Sequence, residues 1–181
     1  MDLKNKKYLI LKNFLSEEMR SLLEKHCKIA HKNNKDQFAP PLITPGDSGF
    51  YADPIMEALL IQKGPELEKK IGVELLPTYS YWRMYTKYSY LTKHSDRPSC
   101  EYSVSVFIGS DNTVQWPFIA DGQKINIDPG DAIFYKGREI KHWREEFLGD
   151  YQAQVFLHYV GKNGPCADYV LDKRMMLGQK I

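Results

Sequence analysis

Three cysteines in 181 residues, Cys27, Cys100 and Cys166, are too few and too far apart for a disulfide framework, and no CxxC pair offers a structural zinc site. They suit a reducing compartment. No apolar run is long enough to span a bilayer, and no hydrophobic leader stands behind the opening MDLKNKKYLILKNF, so a soluble, cytoplasmic protein is expected. The 25 lysines and arginines are interspersed with 23 acids, giving a net charge of +2 and no basic block of the kind nucleic acid requires. Repeats and low-complexity segments are also missing. A hydrophobic content of 43% supports one sizeable core, so a single domain over 1–181 is expected: an N-terminal strand and helices in 1–72, a strand-rich centre in 73–160 and a tail in 161–181.

Residues Lys7 to Leu15 alternate loosely as a strand, and Ser16 with Glu17 and Glu18 then makes a helix start, because a serine caps the first turn and acids favour its dipole. Met19, Leu22, Leu23, Cys27 and Ala30 form the apolar stripe of that helix. The Pro- and Gly-rich stretch from Phe38 to Asp53 reads as an irregular loop, either a packed connector or a flap over a pocket. Asp53-Pro54 starts a second helix, which Gly64-Pro65 should interrupt before Gly72. After Gly72 the pattern changes to strands. Tyr79, Tyr81, Arg83 and Tyr85 fall on one side of an extended segment, with Ser80, Trp82 and Met84 on the other. Further strands are expected at 101–108, 114–119, 124–127, 132–135, 140–147 and 151–160, with turns at Asp121-Gly122 and Asp128-Pro129-Gly130-Asp131. Two helices followed by about eight short strands predict an α+β chain that is mainly β: an antiparallel sandwich or barrel, best a jelly roll, with the helices on one outer face.

Histidine is scarce as well, and one of the five stands in His94-Ser95-Asp96, just ahead of the strand at 101–108. An imidazole and a carboxylate one residue apart can turn toward one metal, and a second histidine completes the facial triad of a non-haem Fe(II) site with three open positions. The tripeptide alone is weak evidence, since about one third of a His-x-Asp pair is expected by chance among 5 His and 12 Asp. A partner histidine must decide. His26 and His31 lie on the first helix and His158 is placed after the final strand, so His142 is the candidate for the third ligand, the alternative being a half-exposed strand histidine. Neutral imidazoles with an ionised carboxylate match the charge that binds Fe(II) near neutral pH.

The segment from about Tyr79 to Tyr159 resembles the 2-oxoglutarate- and Fe(II)-dependent oxygenases of the prolyl 4-hydroxylase-like group, especially short viral and bacterial members. His94-Ser95-Asp96 matches the family's HxD, and His142, 46 residues beyond Asp96, matches its distal histidine. Tyr85, nine residues before His94, matches a tyrosine that lines the co-substrate pocket. The resemblance implies a double-stranded β-helix, one Fe(II), 2-oxoglutarate as co-substrate, dioxygen, and release of succinate and CO2. Its substrate would be a protein or peptide, prolyl residues in particular, or a small molecule.

Two departures stand out. Tyr88 occupies a position where relatives place glycine. Relatives also carry Arg or Lys nine or ten residues after the distal histidine, to pair the far carboxylate of 2-oxoglutarate, whereas here those positions are Tyr151 and Gln152. Arg144 is the preferred substitute, because Ile140, His142, Arg144 and Glu146 share one face of an extended strand and a guanidinium grips a carboxylate through two hydrogen bonds. The alternative is a surface Arg144 paired with Glu145 or Glu146. Arg97 is the other nearby cation, with the phenols of Tyr85 and Tyr151 as neutral donors. Tyr81 and Trp116 are further candidates for shaping the pocket, or plain core. Asp96 in the carboxylate position argues against a halogenase. Two alternatives to the oxygenase stay open: a cupin-like metal enzyme that does not use 2-oxoglutarate, and a non-catalytic binding module.

Overall fold

In the computed structural model, which describes residues 7–33, 47–111 and 113–179, both helices start where their caps stand. Ser16 Oγ accepts from Met19 N (3.3 Å) at the head of α1 (Glu17–Asn33). Asp53 accepts from Ile55 N (3.0 Å) at the head of α2 (Pro54–Ile71), and Gly72, left-handed at φ 68°, closes it with its N–H on the Glu68 carbonyl (2.8 Å). The second Asp53 oxygen accepts from Trp82 Nε1 (3.0 Å) and meets His26 Nε2 (2.8 Å), so one carboxylate ties both helices to the sheet. α2 does not break at Gly64-Pro65 as the sequence predicts. Proline removes a single bond, that to the Ile61 carbonyl, while Met56, Leu59, Leu60 and Leu67 are buried and the Tyr159 hydroxyl donates to the Leu60 carbonyl (2.7 Å). Tertiary packing outweighs the local penalty. Most of the expected flap, Phe38 to Asp53, lies outside the described residues; its last part, Ser48–Tyr51, is an edge strand, β2.

The remaining strands are β1 (Tyr8–Leu11), β3 (Leu75–Thr86), β4 (Leu91–His94), β5 (Tyr102–Ser110), β6 (Phe118–Ala120), β7 (Gln123–Ile125), β8 (Ala132–Tyr135), β9 (His142–Arg144) and β10 (Tyr151–Gly161). They form two antiparallel sheets, ordered β1-β8-β5-β10-β3-β2 and β4-β9-β6-β7. This is a jelly roll of the double-stranded β-helix type, with α1 and α2 on the outer face of the larger sheet. Among the described residues no helix is long and apolar enough to cross a membrane.

Alternation divides the large sheet into two chemistries. Trp82 and Met84 of β3, Val104, Val106 and Ile108 of β5, and Ala153, Val155, Leu157 and Tyr159 of β10 pack under the helices. Each fully buried large side chain there contributes about 1.5–3 kcal/mol. The opposite face, toward the smaller sheet, carries Tyr79, Tyr81, Arg83 and Tyr85, then Ser103 and Ser105, then Gln152, Gln154, Phe156 and His158, aligned in register across β3, β10 and β5. All four serines and glutamines in that set are buried, as is His158. A buried polar face between two sheets needs internal partners, and it is this face that holds the site.

Several strands are shorter than the sequence predicts, for local reasons. The Trp116 carbonyl accepts from Arg144 Nη1 (2.5 Å) and its indole donates to the Glu145 carbonyl (2.8 Å), so the chain before Phe118 is held by side chains rather than a ladder. Phe147 leaves β9 to exchange bonds with the turn after β3, its N–H on Ser89 O (2.7 Å) and its carbonyl accepting from Tyr88 N (2.7 Å). Tyr88 adopts φ 71°, the left-handed region that a glycine fills without strain. The tail carries short 3-10 turns over Ala167–Lys173.

Candidate functional site

His94 ends β4 and His142 begins β9, and the antiparallel pairing sets the two directly opposite each other. Their rings stand 4.2 Å apart between centroids. Asp96, two residues on, places Oδ1 3.5 Å from His94 Nε2 and 3.4 Å from His142 Nε2, so three ligand atoms converge on one point. Each imidazole turns its other nitrogen to a backbone carbonyl, His94 Nδ1 to Thr92 O (2.7 Å) and His142 Nδ1 to Ile140 O (3.4 Å). A carbonyl only accepts, so both Nδ1 atoms carry the proton in the neutral rings and both Nε2 lone pairs face the site. His142 is locked between Phe118 and Tyr135, with centroids at 5.3 and 5.0 Å, while the His94 side chain is 37% exposed and forms the open side.

The electrostatics suit a cation. Burial disfavours the Asp96 anion, but the His142 and His94 rings beside it outweigh that effect and hold the carboxyl far below the usual range. Acceptance by Asp96 of the hydrogen bond from the protonated ring, ahead of the opposing effect of burial, raises His94. A metal ion would take the place of the proton that His94 shares with Asp96.

Residues that sequence inspection did not single out support the carboxylate. The Asp96 N–H donates to Gly137 O (2.9 Å), and a methyl on Gly137 would overlap the Asp96 carboxylate. Asp96 Oδ2 accepts from Ser103 Oγ (2.9 Å), which lies 2.9 Å from His158 Nδ1. His158 is inside β10 rather than after it, and burial holds it down at about 4, so it is neutral near pH 7. Strand alternation alone carries the signal for His158 and Ser103; Gly137 has none outside its tertiary contact.

A cavity of about 180 Å³ opens on His94, Asp96 and His142 and is walled by Tyr79, Tyr81, Arg83, Tyr85 and Phe156. Tyr85 is fully buried, edge-on to Trp116 at 4.8 Å, and its hydroxyl has no hydrogen-bond partner among the described residues. Arg83 stacks on the Tyr85 ring at 4.2 Å and pairs with Asp47 through Nη2 (2.6 Å). Arg144 points inward, only 2% exposed, and is not a surface partner of Glu145 or Glu146. With Gln154 oriented to donate to Val106 O (2.9 Å), its oxygen accepts from both Gln152 Nε2 (2.7 Å) and Arg144 Nη2 (3.3 Å). Arg144 Nε has no partner among the described residues, and burial pushes the guanidinium down to about 10 because no carboxylate among them offsets it. The groups that oppose this shift are the phenols of Tyr85 and Tyr135, both of which border the metal-side cavity. On its other side Arg144 borders a second cavity of about 300 Å³, with Gln152, Gln154 and Trp116.

The other expected co-substrate contacts lie elsewhere. Arg97 grips Asp172 with two bonds (2.8 and 2.7 Å), a carboxylate also held by the Tyr51 hydroxyl (2.6 Å). Tyr151 belongs to the helix-facing set of β10, and its hydroxyl bonds Glu24 (2.7 Å) and the Ser110 carbonyl (2.8 Å). His26 and His31 stand outside the ligand cluster and bond Asp53 and Ser48.

No family model and no curated protein matches the sequence. Solved structures do match in fold. A prolyl-4-hydroxylase of Pseudomonas putida superposes with a TM-score of 0.67 at 13% identity, over 87% of this chain and 94% of that one. The viral collagen prolyl hydroxylase of Paramecium bursaria Chlorella virus-1, solved as a 2-oxoglutarate complex, gives 0.65 at 13% identity, over 86% and 97%. SnoN, a non-haem α-ketoglutarate-dependent epimerase of nogalamycin biosynthesis, gives 0.75 at 9% identity, over 98% and 88%. The chain therefore shares the jelly roll of the 2-oxoglutarate- and Fe(II)-dependent oxygenases.

Proposed function

We propose that this protein is an oxygenase that uses Fe(II), 2-oxoglutarate and dioxygen to hydroxylate a peptide or small-molecule substrate, prolyl residues being the first class to test. The observation that carries it is the convergence of His94 Nε2, Asp96 Oδ1 and His142 Nε2, each imidazole fixed in the ligating tautomer by a backbone carbonyl. Two nitrogens and one carboxylate oxygen are the donor set of a non-haem iron site with open positions. The likeness to 2-oxoglutarate-bound neighbours, and to prolyl hydroxylases in particular, supports the co-substrate and the substrate class.

His94, Asp96 and His142 would hold the metal. When bound, Fe(II) supplies the redox chemistry that couples conversion of 2-oxoglutarate to succinate and CO2 with oxidation of a C–H bond. Arg144 would receive the far carboxylate of the keto acid: it lies one strand repeat beyond His142, about 6.7 Å along β9, and is buried as a cation without a counter-charge among the described residues. Its guanidinium shares the Gln154 oxygen with Gln152, so from the facing sheet it would reach the β10 position where the resemblance implies a basic residue. The unpartnered Tyr85 hydroxyl is the second donor. The aromatic wall of Tyr79, Tyr81 and Phe156 would exclude water and seat the substrate on the open side of His94.

The test is succinate release from 2-oxoglutarate by protein purified without oxygen and loaded with Fe(II), in the parent, Asp96→Ala and His142→Ala. Succinate from the parent alone is expected. Metal binding without any keto-acid binding would favour a cupin-like enzyme, and no metal binding would favour a non-catalytic module.

A further inference from the structure

The oxygen of Asp96 that does not face the histidines is part of a second arrangement. Ser103 Oγ has one proton, and three of its neighbours decide where it goes: Asp96 Oδ2 at 2.9 Å, the Cys100 carbonyl at 3.3 Å, and His158 Nδ1 at 2.9 Å. An ionised carboxylate and a carbonyl only accept, and the shorter, charge-assisted bond takes the proton. Ser103 must then accept from His158, which fixes the Nδ1–H tautomer of that ring. The order is imidazole to hydroxyl to carboxylate.

Two of the three groups sit on strands, and Asp96, just past the end of β4, is tied by its N–H to the Gly137 carbonyl (2.9 Å). Ser103 and His158 are paired in register on the central strands β5 and β10, and His158 packs on Tyr79 with centroids 4.5 Å apart. Asp96, Cys100 and His158 also bring ligand atoms within 4.8 Å of one another, which raises a second metal site as an alternative. Two observations weigh against it. Ser103 Oγ already bridges Asp96 to His158, and the Cys100 sulfur lies 3.1 Å from the Tyr79 hydroxyl and is kept as a thiol by burial.

We propose that Ser103 and His158 are positioning residues that hold Asp96 as a one-oxygen ligand: the hydroxyl occupies Oδ2 so that only Oδ1 is presented beside His94 and His142. The inference rests on the metal site proposed above. Without Ser103, Asp96 loses the partner that keeps Oδ1 turned toward His94 and His142, and the carboxylate is free to swing out of that alignment.

The test uses Co(II) alone, titrated into the full chain and read by affinity and by visible absorption, with melting of the metal-free protein as the fold control. Ser103→Ala should bind Co(II) about 10–100-fold more weakly, the range for lost outer partners of a ligand, and with an altered spectrum. His158→Leu should do the same, whereas His158→Asn, whose amide nitrogen stands where Nδ1 does, should restore both readouts. Parent-like affinity and spectrum in Ser103→Ala would overturn the relay and leave the triad intact. A second Co(II) equivalent in the parent that is lost in His158→Leu would replace the relay with a second metal site. No Co(II) in the parent would remove the triad itself, and the relay with it.

Discussion

The α-carbon of Gly137 lies so close to Asp96 that a methyl group there would overlap both the Asp96 carboxylate and the Cys100 carbonyl. Neither obstacle is the loose end of a flexible side chain, since Asp96 is held by Ser103 and by its own N–H on the Gly137 carbonyl. Gly137→Ala is therefore expected to displace the Asp96 carboxylate, lowering Co(II) affinity at least tenfold if Asp96 is a ligand as proposed, and stability by about 1–3 kcal/mol, the usual cost of overpacking. Metal titration and denaturant unfolding measure the two. A Gly137→Ala protein that binds Co(II) like the parent would show that the segment yields without cost.

Arg144 sets function against stability. A buried guanidinium with no carboxylate partner among the described residues is costly to the free protein and useful only when an anion arrives. Arg144→Met, similar in volume, should keep metal binding and lose about 2–3 kcal/mol of 2-oxoglutarate affinity, the worth of a charge-assisted hydrogen bond. The same variant, free of ligand, should be at least as stable as the parent. Calorimetric titration of 2-oxoglutarate into the Mn(II)-loaded protein, beside urea unfolding, reads both. Unchanged keto-acid affinity would pass the role to Arg83, the guanidinium that lines the cavity at His94, Asp96 and His142.

The layers of this fold are readable from sequence wherever one physical rule dominates. The caps at Ser16 and Asp53 and the alternation that puts Tyr79, Tyr81, Arg83 and Tyr85 on one face are local, and the structure repeats them. Pro65 is also a local signal, but buried Leu60 and Leu67 override it. The contact of Gly137 with Asp96 and the exchange of Phe147 from β9 to the β3 turn join segments distant in the chain, with no local trace. Arg97 shows the same limit. From sequence it is a cation next to a ligand, but Asp172, 75 residues away, takes it. That His94, Asp96 and His142 come together was legible because metal chemistry restricts residue types so strongly that few histidines were left to choose from.

Acid should weaken the metal-free protein through His158. Its pKa falls from the ordinary value of 6.5 to about 4 on folding, chiefly by burial. A histidine depressed in the folded state contributes stability that is complete above its unfolded pKa and is lost as pH falls toward the folded one, so the window is pH 6.5 down to about 4. The full loss is on the order of 3 kcal/mol. His94 has the opposite sign: its pKa is raised, mainly by Asp96, and its contribution is complete below 6.5 and lost as pH rises through the folded value. Denaturant unfolding in chelator at about pH 7 and about pH 4.5 should show a drop in the parent that is much smaller in His158→Asn, which retains His94. Equal drops in both would assign the acid sensitivity to other groups.

Asp47 and Arg83 form a buried ion pair beside the metal-side cavity, and the pair should behave as a unit. The Asp47 carboxylate accepts from Arg83 (2.6 Å), from Thr86 N (2.8 Å), from Thr86 Oγ1 (3.0 Å) and from the Ser89 hydroxyl. Burial opposes the Arg83 charge, but Tyr85 and Asp47 outweigh it and raise the guanidinium further. Removing only the acid strands a cation at 5% exposure. Asp47→Ala should therefore cost about 3–5 kcal/mol, the range for breaking one side of a buried pair. Asp47→Asn should cost less, since an amide oxygen still accepts from Thr86 and Ser89. Arg83→Met removes the charge together with its stack on Tyr85, and the double variant Asp47→Asn with Arg83→Met should lose clearly less than the two single losses combined. Guanidinium unfolding of the parent, the two single variants and the double variant closes the cycle. Strict additivity would mean that Asp47 acts by holding the turn at Thr86 and Ser89, and that Arg83 stands in the cavity without its help.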